Sequence, residues 1–161
     1  MEKPLLIRPA APSDVIRILD LLSQLAAFEG EPDSVSMDEA TLLRDAFGPA
    51  PRIEVLLAEI DGEARGMLIL YQSYSSWRGA PALMIHDLFV EEMARGSGAG
   101  KALVKEAAKM AVARGACRLD VNVLGWNEPA RKFYESLGFS ALPAWVPHRL
   151  SDAAMLTLAK T

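Results

Sequence analysis

The stretch from Asp87 to Lys109 reads D-L-F-V-E-E-M-A-R-G-S-G-A-G-K-A-L-V-K-E-A-A-K. An apolar run, Ala82 to Val90, predicts a strand that enters a glycine-rich turn, after which a helical pattern starts at once. Gly96, Gly98 and Gly100 alternate with small residues, which allows the backbone to adopt positive φ and to approach a ligand closely. Because a helix N-terminus offers free N–H groups and the positive end of its dipole, the turn predicts a phosphate-binding site.

The glycine pattern differs from the two common nucleotide loops. The alternative is a plain strand-to-helix turn, which uses glycine for its backbone geometry only. Three alternating glycines together with Arg95 and Lys101 are more than such a turn requires, so the pattern favours phosphate binding. A Walker loop requires glycine at position 95 and a hydroxyl side chain after the lysine, where the chain has Arg95 and Ala102. A Rossmann fingerprint that starts at Gly96 requires its third glycine where Lys101 stands. A phosphotransferase is therefore disfavoured.

Composition and charge narrow the class of protein. The 161 residues predict one domain, residues 1–161, with a sizeable core. The formal net charge of −4 argues against nucleic acid or an anionic membrane as the main partner. The single cysteine, Cys117, rules out an intrachain disulfide. Met1 to Arg8 lacks an apolar leader and no run is long enough to span a bilayer, so a cytoplasmic location is expected.

The first third of the chain predicts a strand and two helices. Leu5 to Arg8 is a short apolar run that Pro9 closes, as expected of a strand. Apolar residues then recur at helical spacing from Val15 to Ala26, which predicts the first helix. Ser36 and Glu39 have the spacing of a capping box and predict the start of a second helix.

The remaining elements predict a mixed sheet. The hairpin signal Asp61-Gly62 joins two apolar runs, and Gly79-Ala80-Pro81 separates them from a third run into Val90, so the three are expected to form an antiparallel meander. A strand–helix–strand unit follows, which implies one parallel pairing. Asn127 is suited to cap a last helix. The predicted strands after the second helix are Arg52 to Ile60, Ala64 to Tyr71, Ala82 to Val90, Cys117 to Leu124, Phe139 to Leu142 and Ala153 to Ala159. This order predicts a single α+β domain with a mostly antiparallel sheet.

Two signatures now carry a resemblance to a known family. Residues 95–100, R-G-S-G-A-G, resemble the R/Q-x-x-G-x-G/A loop by which the GNAT superfamily of N-acetyltransferases holds the pyrophosphate of acetyl-coenzyme A. Residues 127–139, N-E-P-A-R-K-F-Y-E-S-L-G-F, resemble its N-x-x-A-x-x-F-Y-x-x-x-G-F signature. Trp126 to Pro129, the strand end Asp87 to Val90 and Phe28-Glu29 look closest to the diamine (spermidine/spermine) acetyltransferases.

The resemblance covers nearly the whole chain and implies the acyl-CoA N-acyltransferase fold, with helices flanking the sheet. It implies transfer of acetyl from acetyl-CoA, without a metal, to the primary amine of a short diamine, a polyamine or a lysine-like amino acid. In the superfamily the acyl-CoA lies between two splayed parallel strands, and a backbone N–H near a bulge polarises the thioester carbonyl. The residues implied to contact acetyl-CoA are Leu88, Phe89, Val90, Arg95, Gly96, Ser97, Gly98, Ala99, Gly100, Lys101, Asn127, Ala130 and Tyr134, with the polarising N–H at Leu88 to Val90.

The resemblance also assigns catalytic roles. Tyr134 matches the tyrosine that protonates the departing thiolate, and a phenol keeps its proton at neutral pH. The alternative for Tyr134 is a core residue, and the alternative for Asn127 is a helix cap with no contact to the pantetheine arm. His86 stands where the diamine enzymes have the glutamate of a Glu-Asp pair. It can accept a proton directly or through water, or it is structural only.

Acceptor recognition is implied at Glu29 and Asp87, which match acidic residues of the family's amine site. Glu29 also lies in an acidic run that is expected, as the alternative, to be a solvated turn. Ser75 replaces an aspartate of the family's Y-D-P-W motif, and Pro147-His148 replaces an acidic segment. The predicted amine site of this chain therefore has fewer carboxylates than the site of a polyamine acetyltransferase. The resemblance further implies a homodimer. The rival non-enzyme interpretation is an acyl-CoA-binding sensor or subunit that lost turnover.

Overall fold

The computed structural model describes residues 4–161, so Met1 to Lys3, at the start of the segment predicted to lack a leader, lie outside it. One mixed sheet has the strand order β1-β2-β3-β4-β5. Its strands are β1 Leu5–Pro9, β2 Glu54–Ile60, β3 Glu63–Ser75, β4 Ala80–Val90 and β5 Leu119–Val121. The helices are α1 Val15–Phe28, α2 Glu39–Phe47, α3 Ala99–Ala113, α4 Glu128–Ser136 and α5 Asp152–Ala159. Within residues 4–161, none of them is both long and apolar enough to cross a membrane.

The chain forms two compact units, one that extends to Asn122 and one that begins at Val123. The first unit contains the whole sheet with α1, α2 and α3, and the second contains α4 and α5. In the first unit, strands β1 to β4 are antiparallel neighbours, which confirms the predicted meander. The β2–β3 turn uses Asp61 at φ +56° and Gly62 at φ +78°, the pair of positive angles that a tight hairpin turn requires.

The strand–helix–strand prediction is also confirmed, because β5 pairs parallel to β4 and α3 connects them. Helices α1 and α2 cover one face of the sheet, where a buried cluster includes residues from both. Its members are Val15, Ile18, Leu21, Leu25, Leu42, Val55, Leu57, Ala64, Met67, Ile69 and Phe89. The alternate strand residues Leu56, Leu68 and Leu70 are buried as well, and α3 contacts β1 to β5. Both faces are therefore covered and β4 lies between two hydrophobic layers.

Three local predictions were wrong. The capping residue of α2 is Asp38, whose Oδ1 accepts from Thr41 N at 2.8 Å, so Ser36 and Glu39 do not form the capping box. Residues 153–159 lie in helix α5, because alanine, leucine and methionine favour a helix over a strand. Residues 139–142 lie outside any strand, and Pro143, which follows them, has no N–H to extend a ladder.

Candidate active site

Strand β4 contains a bulge at His86. Asp87 and Ile85 face consecutive residues of β3, so His86 between them has no opposite residue. A bulge turns its side chain out of the regular alternation, and the His86 side chain is 65% exposed. The bulge therefore precedes Leu88 to Val90, the segment to which the sequence assigned the polarising N–H.

Beyond the bulge, β4 presents an open edge. The β4–β5 ladder covers Leu83 to Ile85 only. Glu91 N donates to a β3 carbonyl at 2.9 Å, and hydrogen bonding alternates along an antiparallel pair. Leu88 and Val90 consequently direct their N–H and C=O groups away from β3, whereas Phe89 between them packs in the core. An extended ligand with amide groups fits this edge.

Two carboxyl groups meet beside this strand end. Burial raises the pKa of Asp87, and the neighbouring His86, with Nε2 3.9 Å from Oδ2, opposes that rise. Glu29 directly follows α1, and its pKa is raised by burial and then by the negative charge of Asp87. Among residues 4–161, no side chain or backbone N–H donates a hydrogen bond to the Asp87 carboxyl within 3.5 Å. The fold thus brings Glu29, His86 and Asp87 together, although the chain separates Glu29 from the other two.

The glycine turn follows β4 through a short turn of 3₁₀ helix. Gly96 and Gly98 adopt φ of +77° and +85°, as predicted for a backbone that must bend to the left-handed region. Gly100 is not among the glycines with positive φ, because α3 begins at Ala99 and Gly100 lies in its first turn. Ser97 Oγ accepts from Ala99 N at 3.3 Å. A Cβ on Gly96 or Gly98 would meet no atom within 4 Å, so the space beside the turn is open.

Arg95 connects the turn to the other parts of the site. Its Nε donates to Val90 O at 3.2 Å, and its guanidinium carbon lies 5.1 Å from the centre of the Phe28 ring. A guanidinium at this distance from a ring face makes a cation–π contact. Phe28 immediately precedes Glu29, so Arg95 contacts both the strand edge and the end of α1. The exposed Lys101 lies in the first turn of α3.

In the second unit, α4 carries the remaining predicted residues. Asn127 Oδ1 accepts from Ala130 N at 3.2 Å, so Asn127 is the helix cap that one interpretation expected. Tyr134 is 7% exposed, and its ring lies edge-on to Phe133 and Phe139 at centroid distances of 5.1 and 5.3 Å. Tyr134 therefore has a packing role, and a hydroxyl on a packed ring is held in a fixed direction.

Glu91 is a buried residue that the sequence analysis missed. Its carboxylate accepts from Arg17 Nη2 at 2.6 Å, from Gln24 Nε2 at 3.0 Å and from Arg65 Nη1 at 3.1 Å. Burial alone would raise the pKa of Glu91, but these donors outweigh burial and hold the pKa below its usual range. The three partners lie 26 to 74 positions earlier in the chain, so no local pattern indicates them.

The described residues contain no group of three or more His, Cys, Asp or Glu side chains arranged to hold a metal ion. They do offer features that fit acetyl-CoA, namely an edge of backbone amides and a glycine turn at a helix N-terminus, and an acidic pair that fits a cation. These features belong to the first unit, whereas Asn127 and Tyr134 lie in the second.

Comparisons with known proteins find N-acetyltransferases among the relatives of this chain. Bovine thialysine N-epsilon-acetyltransferase is 34% identical and aligns over 96% of each chain. Human spermidine/spermine N(1)-acetyltransferase-like protein 1 is 29% identical over 95% of this chain, which spans 23% of that protein. An integron cassette protein from V. cholerae has a similar fold, with a TM-score of 0.82 over 100% of this chain and 99% of that chain at 23% identity.

A family model carries the assignment. Residues 18–139 match the model of the acetyltransferase (GNAT) family, whose co-substrate is acetyl-CoA. That range runs from α1 to the end of the second signature and includes the bulge, the open edge and the glycine turn. With most of its length matched and a mixed five-stranded sheet of the expected kind, the chain belongs to the GNAT family of N-acetyltransferases.

Proposed function

We propose that this chain acetylates the primary amine of a small cationic molecule, namely a short diamine, a polyamine or a lysine-like amino acid. The carrying observation is the pair Glu29 and Asp87 beside the open edge of β4. Both carboxyls have raised pKa values, and each gains if a positive charge binds nearby. The names of two relatives support the substrate class, since one acts on thialysine and the other resembles spermidine/spermine acetyltransferases.

Acetyl-CoA binding is assigned to the strand edge and the turn. Leu88 and Val90 offer amides to the pantetheine arm, and one of these N–H groups polarises the thioester carbonyl. The backbone from Arg95 to Lys101 holds the pyrophosphate at the N-terminus of α3. The family resemblance also assigns Asn127 and Ala130 to the coenzyme. The resemblance also supports a homodimer, which light scattering of the purified protein would measure.

The reaction is a direct attack. The bound ammonium first loses a proton to His86, directly or through a water molecule, because only the neutral amine has a free electron pair. The nitrogen then attacks the carbonyl carbon, the C–N bond forms, and the C–S bond breaks. Tyr134 donates its proton to the departing thiolate and recovers one from the acetylated nitrogen. The sum is an ammonium and a thioester converted to an amide, a free thiol and one proton.

Release of free thiol from acetyl-CoA against a panel of amines tests the activity. We expect amine-dependent release, with a short diamine or lysine-like amino acid preferred over spermine because Ser75 and Pro147-His148 remove carboxylates from a polyamine site. Coenzyme binding with no release against any amine would instead support the sensor interpretation. A strong preference for spermine would contradict the substrate assignment.

Tyr134→Phe tests the general acid. The variant loses only the hydroxyl, so ring packing against Phe133 and Phe139 is kept. General acid catalysis contributes about 10²–10⁴-fold, and we expect kcat to fall in that range with little change in KM for acetyl-CoA. If chemistry limits the rate and the variant keeps more than roughly a third of wild-type kcat, Tyr134 acts in packing only.

Gly98→Val tests the phosphate turn. Valine resists φ near +85° and would fill the open space beside the turn, so coenzyme A binding should be lost in a folded protein. Gly115→Val is the matched control, since Gly115 also has positive φ, at +68°, and open space, but lies beyond the opposite end of α3. Calorimetry should find normal affinity in the control. Equal affinity in both variants would remove the turn from the coenzyme site.

A further inference from the structure

Glu91 directly follows strand β4 and precedes the short 3₁₀ turn that leads to the glycine turn. Its N–H donates to Arg65 O at 2.9 Å, a backbone bond just beyond the paired residues of β3 and β4. Its C=O accepts from Ala94 N at 2.9 Å and so closes the short turn that leads into Arg95. The position of Glu91 therefore sets where the strand edge ends and where the turn begins.

The side chain of Glu91 connects this position to helix α1 and strand β3. Arg17 and Gln24 come from α1, and Arg65 comes from β3. Arg17 also donates from Nε to Ala64 O at 2.9 Å, which joins α1 to β3 next to the carboxylate. Since the Glu91 side chain is only 10% exposed, water screens these contacts weakly. One carboxylate thus links the turn to α1, which also presents Phe28 and Glu29 at its end.

We infer that Glu91 is a positioning residue for acetyl-CoA, whose carboxylate holds the turn from Arg95 to Lys101 in the orientation that receives the pyrophosphate. The inference rests on the proposed function, in which this turn binds the coenzyme. Donors that recognise an anion must be placed accurately, and a displacement of about 1 Å in a binding site can cost about 10²-fold. A purely structural ion cluster would stabilise the fold without this effect on the coenzyme.

The chain offers a matched control for the two interpretations. Arg114 at the end of α3 donates to Glu54 of β2 through two hydrogen bonds, Nη1 to Oε2 at 2.6 Å and Nη2 to Oε1 at 2.7 Å. That pair also joins a helix to the sheet, but it lies at the end of α3 opposite the turn. Glu54→Gln removes the negative charge from this pair, and Glu91→Gln removes the negative charge from the buried cluster. Both substitutions keep the size of the side chain.

The experiment measures the Kd of coenzyme A by calorimetry, the KM of acetyl-CoA, kcat and Tm for both variants and for Gln24→Ala. We expect Glu91→Gln to raise Kd and KM about tenfold with kcat at saturation changed by less than about twofold. Gln24→Ala, which removes one neutral donor from α1, should act in the same direction with a smaller effect. Glu54→Gln should leave Kd and KM unchanged while it lowers Tm.

A Glu91→Gln protein with lowered Tm but wild-type Kd and KM would overturn the inference and leave Glu91 as a stabilising residue only. If that variant does not fold, Gln24→Ala decides by the same two constants. Gly98→Val distinguishes the positioning role of Glu91 from coenzyme binding by the turn itself. Loss of binding in Gly98→Val with normal binding in Glu91→Gln overturns the positioning role alone, whereas normal binding in Gly98→Val overturns the proposed turn and the inference with it.

Discussion

Asp87 and Glu91 are carboxylates at the same end of β4, and their surroundings are opposite. Glu91 accepts hydrogen bonds from Arg17, Gln24 and Arg65, and its pKa is lowered. Among residues 4–161, the charged partner of Asp87 is the His86 imidazole, with Nε2 3.9 Å from Oδ2, and burial raises the pKa of Asp87. The Glu91 charge is satisfied by donors of the fold, so Glu91 holds neighbouring elements in place. The half-buried Asp87 charge has no such donor among the described residues, which favours the proposed binding of a cation beside it.

The two pKa directions have opposite consequences for stability. A lowered pKa means that the folded state binds fewer protons than the unfolded chain, so the charge of Glu91 stabilises the protein above its ordinary pKa. A raised pKa means the reverse, so the charges of Asp87 and Glu29 destabilise the fold at neutral pH. The charges at the proposed acceptor site therefore lower the stability of the fold, and a bound ammonium would offset that loss, whereas the Glu91 charge stabilises the fold nearby.

Of the two carboxylates, Asp87 should have the larger effect on activity when it is exchanged for its amide. Asp87→Asn removes the buried charge that favours the cationic acceptor, and we expect kcat/KM for the amine to fall about 10²-fold. The Kd of coenzyme A should not change, because the turn is intact. Asp33→Asn is the control, since Asp33 is an exposed carboxylate in the acidic run after Glu29. Steady-state kinetics with equal losses in both variants would mean that general charge, not the Asp87 position, attracts the acceptor.

The pH dependence of kcat/KM should sharpen the role of His86. As pH falls, Glu29 and Asp87, whose pKa values are raised, gain protons and attract the cation less, so the profile should rise from acid towards neutral pH. If His86 is the base, His86→Ala should remove the ascending limb. If His86 only supports the charge of Asp87, its loss should raise the Asp87 pKa further and move the limb to higher pH. A limb that neither disappears nor moves would exclude both roles.

Local signals in the sequence predicted the parts of the molecule that depend on neighbouring residues. Asp61-Gly62 specified its hairpin because both angles are set within the turn. Gly96 and Gly98 specified the bend before α3 in the same way. The bulge at His86 was not placed, because it depends on the register between β3 and β4. A bulge has no signature in β4 alone.

Long-range contacts explain what the sequence missed at the site. The sequence contains Glu91 within its most informative stretch, yet nothing there separates a buried acceptor from the exposed Glu92 beside it. Only the packing of α1 and β3 against the strand end brings three donors to Glu91. Glu29 and Asp87 were predicted as site residues from the family resemblance alone, because no local pattern connects them. The sequence analysis missed helix α5 because it expected a closing strand there, whereas alanine, leucine and methionine have high helix propensity.

The smallest expected effect concerns stability and its pH dependence. Glu91→Gln should lower the free energy of unfolding at neutral pH by about 1–2 kcal/mol, because Arg17 and Arg65 lose their shared anion. The stability that Glu91 supplies is fully present above its unfolded pKa and is lost as pH falls through its lowered folded pKa, so the difference should vanish in acid. Asp87→Asn should not lower the free energy of unfolding at neutral pH, since it removes a charge that burial disfavours.

Urea unfolding at neutral and acid pH measures both variants. A loss in Glu91→Gln that persists unchanged in acid would mean that the amide fails to fit the pocket. A loss in Asp87→Asn as large as that in Glu91→Gln would mean that the two carboxylates serve the fold alike.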